Sequence, residues 1–229
     1  VDNLSGGRVG ISAASGWLPN DFALAPDNYD DRHGLLRERI DQIRKMWRGE
    51  PFEAKSGNGK TVMLNVFPPP VQKELPIWFT VAGNPAAFEY AGQIGAHLLT
   101  HLLNQDIETL AEKIALYRKA RADHGFDPDA GMVSVMTHTF VGPDINRVLE
   151  IAREPYCDYL KANVTLISGL AYSRNSNTDV SKLKGRELDE FAHYIFDRFY
   201  EQRSLIGTPQ SCLELARKMH AAGVNEVAC

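Results

Sequence analysis

Pro76-Ile77-Trp78-Phe79-Thr80-Val81-Ala82-Gly83-Asn84-Pro85 changes character twice within a few residues. Ile77 to Val81 is apolar and rich in β-branched and aromatic residues, so it reads as a short buried strand opened by Pro76. Ala82-Gly83-Asn84 reads as a turn. Pro85 has no N–H to lose at the first helical position, and Asn84 is a good N-cap. The helix so opened runs to about Ile94 and stops at Gly95. A strand, a tight turn and a capped helix make the repeating unit of a parallel α/β protein.

The same alternation extends in both directions. Downstream, Ala96 to Thr100 is a strand and His101 to Gln105 a loop. Asp106 caps a helix ending near His124-Gly125. Val133 to Val141 is a strand, and Asp144 starts a helix that passes Arg153. Positions 170–186 are polar and read as a loop, a candidate lid together with the hairpin near Asn58. A helix follows from about Leu188 to Arg203. Gly207-Thr208-Pro209 opens another, stopped at Gly223, and Asn225 to Cys229 is a strand. Upstream, Arg8 to Ser12 reads as a strand followed by the small residues Ala13-Ala14-Ser15-Gly16. Asp30 to Arg48 is a helix, with Leu35, Leu36, Ile40, Ile43 and Trp47 at three- and four-residue steps. Gly57-Asn58-Gly59 turns a side hairpin.

Five core strands alternating with helices predict a parallel sheet buried on both faces. A doubly wound sheet would carry a glycine-rich turn after its first strand. Gly6-Gly7 precedes a strand instead, and Val81 to Pro85 matches only in part. A (β/α)8 TIM barrel fits better, as one domain over residues 1–229. Five strands leave three to find. Val1-Asp2-Asn3-Leu4-Ser5-Gly6-Gly7 reads as the exit from a helix and a turn, and Val227-Ala228-Cys229 as a strand cut short, so the barrel is expected to be incomplete: three strands upstream and a last strand shortened.

The chain has 229 residues, 44% hydrophobic and 24% charged, with a net charge of -4. That composition is ordinary for a globular protein and lacks the basic footprint of a nucleic-acid binder. No apolar run reaches membrane-span length, so a cytoplasmic protein is expected. Cys157, Cys212 and Cys229 have no metal-ligand or disulfide spacing, and no metal site is expected.

Three stretches resemble the luciferase-like flavin monooxygenases. Leu4-Ser5-Gly6-Gly7-Arg8-Val9-Gly10 with Ser15-Gly16-Trp17 is similar to the entry to that family's fourth strand. Pro76 to Pro85 is similar to its fifth strand and phosphate-binding turn. Gly207-Thr208-Pro209 with Ala222-Gly223-Val224-Asn225-Glu226-Val227 is similar to its last helix and strand. Within the family, Ala14-Ser15-Gly16-Trp17, Trp47-Arg48-Gly49 and Thr100-His101-Leu102-Leu103 resemble monooxygenase domains associated with peptide and polyketide synthases.

The resemblance implies FMN, reduced by a separate reductase, and oxygenation of an organic substrate, free or carrier-bound, in natural-product biosynthesis. It implies a homodimer or a place in a larger synthase. Two other readings stay open: an F420-dependent dehydrogenase or reductase on the same barrel, and a non-catalytic barrel domain.

Candidate site residues follow from strand ends. Ala82, Gly83 and Asn84 form the phosphate turn, where the helix N-terminus offers free N–H groups and a positive dipole end. Tyr29, before the helix that starts at Asp30, is given by the resemblance rather than by a strand end: it implies a hydroxyl that reaches the phosphate. Ser12, Ala14 and Ser15 leave room for the isoalloxazine, and Thr100 ends a strand beside it. His101, at the barrel mouth, and His138 are the candidate proton-handling groups, although strand alternation leaves the face of His138 open.

Overall fold

The computed structural model describes residues 1–164 and 182–229. Positions 170–181 of the expected lid loop lie outside them. The chain divides into two compact units, Val1–Thr80 and Val81–Cys229.

The first unit opens with a short helix α1 (Asp2–Ser5), then β1 (Ile11–Ala13), α2 (Arg32–Trp47), the antiparallel hairpin β2 (Phe52–Lys55) and β3 (Thr61–Leu64), and β4 (Ile77–Thr80). β1 and β4 run parallel, with Ile11 opposite Ile77, Ser12 opposite Trp78 and Ala13 opposite Phe79. The expected strand Arg8 to Ser12 is therefore corrected. Pairing begins only where the Ile11 amide donates to Pro76 O at 3.0 Å. Along β4 the pleat sends Ile77 and Phe79 into the core and leaves Trp78 and Thr80 half-buried on the other face.

Asp2 fastens the start of this unit. Its carboxylate is buried and accepts hydrogen bonds from Val71 N at 2.7 Å, Gln72 N at 3.1 Å and Gln72 Nε2 at 2.8 Å. Burial pushes its pKa up, but the Gln72 and Val71 donors together outweigh burial and hold it below the ordinary 3.8. A depressed carboxyl stabilises the fold above its unfolded pKa, and that stabilisation disappears as pH falls through the folded value. Asp2→Asn is expected to lower the urea midpoint at neutral pH. The difference from wild type should shrink toward nothing in strong acid, which a series of midpoints against pH checks.

The second unit carries the parallel strands β5 (His97–His101), β6 (Val133–Met136) and β9 (Glu226–Ala228), with β6 in the middle. α3 (Pro85–Gln93) and α4 (Ile107–Asp123) pack together and bury Phe88, Ala91, Leu110, Ile114 and Tyr117. The caps are those read from the sequence. Asn84 accepts from Ala86 N at 3.1 Å, and Asp106 accepts from Thr109 N at 2.8 Å. α5 (Ile145–Ala162) and α6 (Arg186–Arg203) close a second cluster around Tyr156, Cys157, Leu160, Phe196 and Phe199. α7 (Pro209–Ala221) is capped by Thr208, and β9 follows.

The expected single strand Val133 to Val141 is two. β6 ends when Thr137 N donates to Ala228 O at 3.0 Å. The chain then changes partner: Leu205 N donates to His138 O at 2.9 Å, and β7 (Thr139–Val141) pairs in parallel with β8 (Leu205–Gly207). β8 is too short for its alternation to register in the sequence, which reads there as helix followed by helix. The architecture is α/β with predominantly parallel strands, and among the described residues no ring of strands is closed.

Candidate functional site at the end of β5

The Ala82–Asn84 turn sits at the C-terminal end of β5. Val81 N donates to Leu99 O at 2.9 Å, which sets the turn level with Thr100 and His101. Gly83 is half-buried, and Ala82 and Asn84 are exposed. The space a side chain would take at Gly83 is bounded by polar groups. A Cβ placed there would lie 3.5 Å from Asn104 Nδ2, 3.6 Å from Lys113 Nζ and 3.7 Å from Asn104 Oδ1. A glycine backed by an ammonium, an amide and a helix N-terminus is a cradle suited to an anion.

Lys113 is held in place by neutral groups. Its Nζ donates to Gln105 Oε1 at 2.8 Å, and the buried Gln105 donates from Nε2 to Thr100 Oγ1 at 3.1 Å and to His101 O at 2.8 Å. These bonds fix which end of the amide faces the lysine. Burial lowers the Lys113 pKa, partly opposed by Asp106 and Glu112. A partly desolvated ammonium whose partner is an amide keeps donors for a ligand. The sequence reading overlooked it. The signal was present: Leu110, Ile114 and Tyr117 define the buried stripe of α4, and Lys113 is a charge set on it.

Thr100 is the strand-end candidate on the inner face. Alternation along β5 buries it beside Leu98, on the face opposite His101, and its hydroxyl is taken by Gln105. It therefore orients the residue that orients Lys113.

His101 ends β5 half-buried, and its Nδ1 accepts from Leu103 N at 3.2 Å. The neutral ring therefore carries its proton on Nε2. His138, at the change of partner between β6 and β7, packs against Tyr156 and Tyr159 with ring centroids 4.8 and 4.4 Å away. Burial lowers the pKa of both from the ordinary 6.5, and the charges of His138 and Lys113 lower that of His101 further. The sign follows directly: such histidines favour the fold fully above about pH 6.5, and that stability is lost as pH falls toward the folded values. The double variant His101→Gln, His138→Gln is expected to flatten the decline of the urea midpoint between about pH 7 and 5.

The remaining candidates lie in the first unit. Ser12 Oγ and Thr80 Oγ1 are 2.7 Å apart on one face of the β1–β4 pair. Ala14 is exposed and Ser15 half-buried. Tyr29 precedes α2, with the Phe22 ring edge-on at 5.3 Å and the Arg32 guanidinium 4.5 Å over its face. Trp17 is 52% exposed.

A family model for luciferase-like monooxygenases matches residues 1–226, and the chain belongs to that family. The FMNH2-dependent dimethylsulfone monooxygenase of Pseudomonas putida is 22% identical over 237 residues, covering 98% of this chain and 61% of that protein. The oxygenating constituent of 3,6-diketocamphane monooxygenase from Pseudomonas putida, a type II Baeyer–Villiger enzyme solved with FMN, superposes with a TM-score of 0.69 at 16% identity, over 99% of this chain and 65% of that one. An F420-dependent secondary alcohol dehydrogenase gives a TM-score of 0.69 at 18% identity, over 98% and 64%. These structures share the fold. The chain spans about three-fifths of the length of the curated relative, at 61%. No helix among the described residues is long and apolar enough to cross a membrane.

Proposed function

We propose that this chain is the greater part of one barrel domain of an FMN-dependent monooxygenase, which uses reduced flavin and molecular oxygen to oxygenate a small or carrier-bound organic substrate. The observation that carries the reading is the gap at Gly83, bounded by Lys113 and Asn104. Its donor set fits a phosphate: one ammonium, one side-chain amide and the N–H groups at the start of α3.

The Lys113 ammonium and the Asn104 amide would hold the phosphate of FMN at the Gly83–Asn84 turn, with Gln105 and Thr100 keeping the lysine in place. Ser12, Ala14, Ser15 and Tyr29 are further flavin contacts on the family resemblance. Bound reduced flavin supplies the electrons and the activation of oxygen. His101 presents a donor at Nε2 and, being kept neutral, moves a proton rather than anchoring a charge. His138, walled by Tyr156 and Tyr159, lines a drier, aromatic part of the rim. A separate flavin reductase, a homodimer or a synthase assembly, a role in natural-product biosynthesis and a cytoplasmic location belong to the same proposal.

An anaerobic titration of the complete protein with reduced FMN, run beside one with F420, tests this. Tight binding of reduced FMN, followed by incorporation of label from 18O2 into product, is expected. Tight F420 binding without FMN binding would move the chain to the dehydrogenase reading, and binding of neither would leave a non-catalytic barrel.

A further inference from the structure

One backbone position connects α6 to His101. The Leu103 amide donates to His101 Nδ1 at 3.2 Å, and the Leu103 carbonyl accepts from Arg203 Nη1 at 3.1 Å. The two bonds lie on the two peptide groups flanking one Cα. The two planes turn about the φ and ψ of Leu103, so they are held together only as far as the packing of Leu103 restrains its Cα. Leu103 is itself 5% exposed, so its side chain is clamped as well. The guanidinium is seated over the Phe199 ring at 4.3 Å. Two residues on, Leu205 N donates to His138 O at 2.9 Å. The buried Ser204 between them ties itself to the last turn of α6, through Oγ to Tyr200 O at 2.6 Å. The Arg203–Leu205 junction thus grips the backbone beside both histidines.

We infer that Arg203 is a positioning residue for His101: by holding the Leu103 carbonyl, it keeps the Leu103 amide on Nδ1 and the ring in its Nε2–H form. The inference rests on His101 being the proton-handling group, but its structural content stands apart from turnover. A histidine whose Nδ1 faces a fixed N–H cannot take a proton there without setting two donors against each other. Loss of the Arg203 clamp frees the 102–105 turn, and with it both the tautomer and the second protonation.

The test is the imidazole nitrogen NMR spectrum of the complete protein labelled in histidine, with His101 assigned by its loss in His101→Gln. Wild type should show a single Nε2–H tautomer. Arg203→Met should show tautomer averaging and a higher His101 pKa. Arg203→Lys, which keeps a donor near the carbonyl, should restore most of the wild-type pattern. His97, whose Nδ1 accepts from Met132 N at 3.0 Å at the other end of β5, is the internal control and should not change. An Nδ1–H tautomer in wild type would overturn the inference. So would a folded Arg203→Met variant with an unaltered His101 signal. Should Arg203→Met fail to fold, Arg203→Leu, which likewise has no donor for the Leu103 carbonyl, takes its place under the same criteria. The expected tautomer changes in a protein that binds no flavin would leave the positioning role intact and remove only the proposed function.

Discussion

Lys113→Met in the complete protein is expected to weaken FMN binding by about 10- to 150-fold, the equivalent of one charge-assisted hydrogen bond of about 1.5–3 kcal/mol. Gly83→Val should do at least as much by a different route. The added Cβ would stand in ordinary contact with Asn104 and Lys113, at 3.5 to 3.7 Å, so the fold tolerates it. The branches beyond it occupy the space an anion would need. Flavin fluorescence titrations with thermal unfolding as control check both. Unchanged affinity in two folded variants would remove the cradle from the site.

Gly92→Val is expected to cost about 3 kcal/mol or more, the largest single effect on stability. Gly92 faces α4 with no room for a side chain: a Cβ would fall 2.5 Å from Tyr117 O, 2.8 Å from Ala120 Cβ and 3.1 Å from Arg121 N. Two of these are backbone atoms, so the contact is not relieved by a rotamer change. The helices cannot separate cheaply either. Tyr117 is fully buried, and its hydroxyl donates to Ala96 O at 2.7 Å, at the entry to β5. Parting α3 from α4 would therefore disturb the strand that ends in His101. Urea unfolding should show the loss, with Gly92→Ala smaller but of the same sign. A valine variant within about 1 kcal/mol of wild type would show that the two helices pack more loosely than described.

Elements that obey local rules were legible from residues alone. Asn84-Pro85, Asp106 and Thr208-Pro209 open helices because each supplies its own cap, and the caps are formed as expected. The strand-turn-helix around Gly83 was readable for the same reason. What the sequence did not disclose depends on partners far along the chain. The break at Thr137-His138 exists because β6 pairs with β9 while β7 pairs with β8. The start of β1 at Ile11 rather than Arg8 is set by Pro76. The site divides the same way. Gly83, Asn84 and His101 were named as candidates from strand ends, whereas Lys113 and Arg203 lie on helices, and Arg203 meets Leu103 across a hundred residues of chain. Thr100 was named for its place at a strand end, but the pleat turns it to the opposite face from His101.

The most direct measurement compares FMN with riboflavin on the complete protein, since the two differ only by the phosphate. A cradle at Gly83 that recognises that group predicts FMN bound at least about 100-fold more tightly, a difference of roughly 2.7 kcal/mol, with the preference collapsing in Lys113→Met. Equal affinity for the two flavins would place the anion site elsewhere and contradict it.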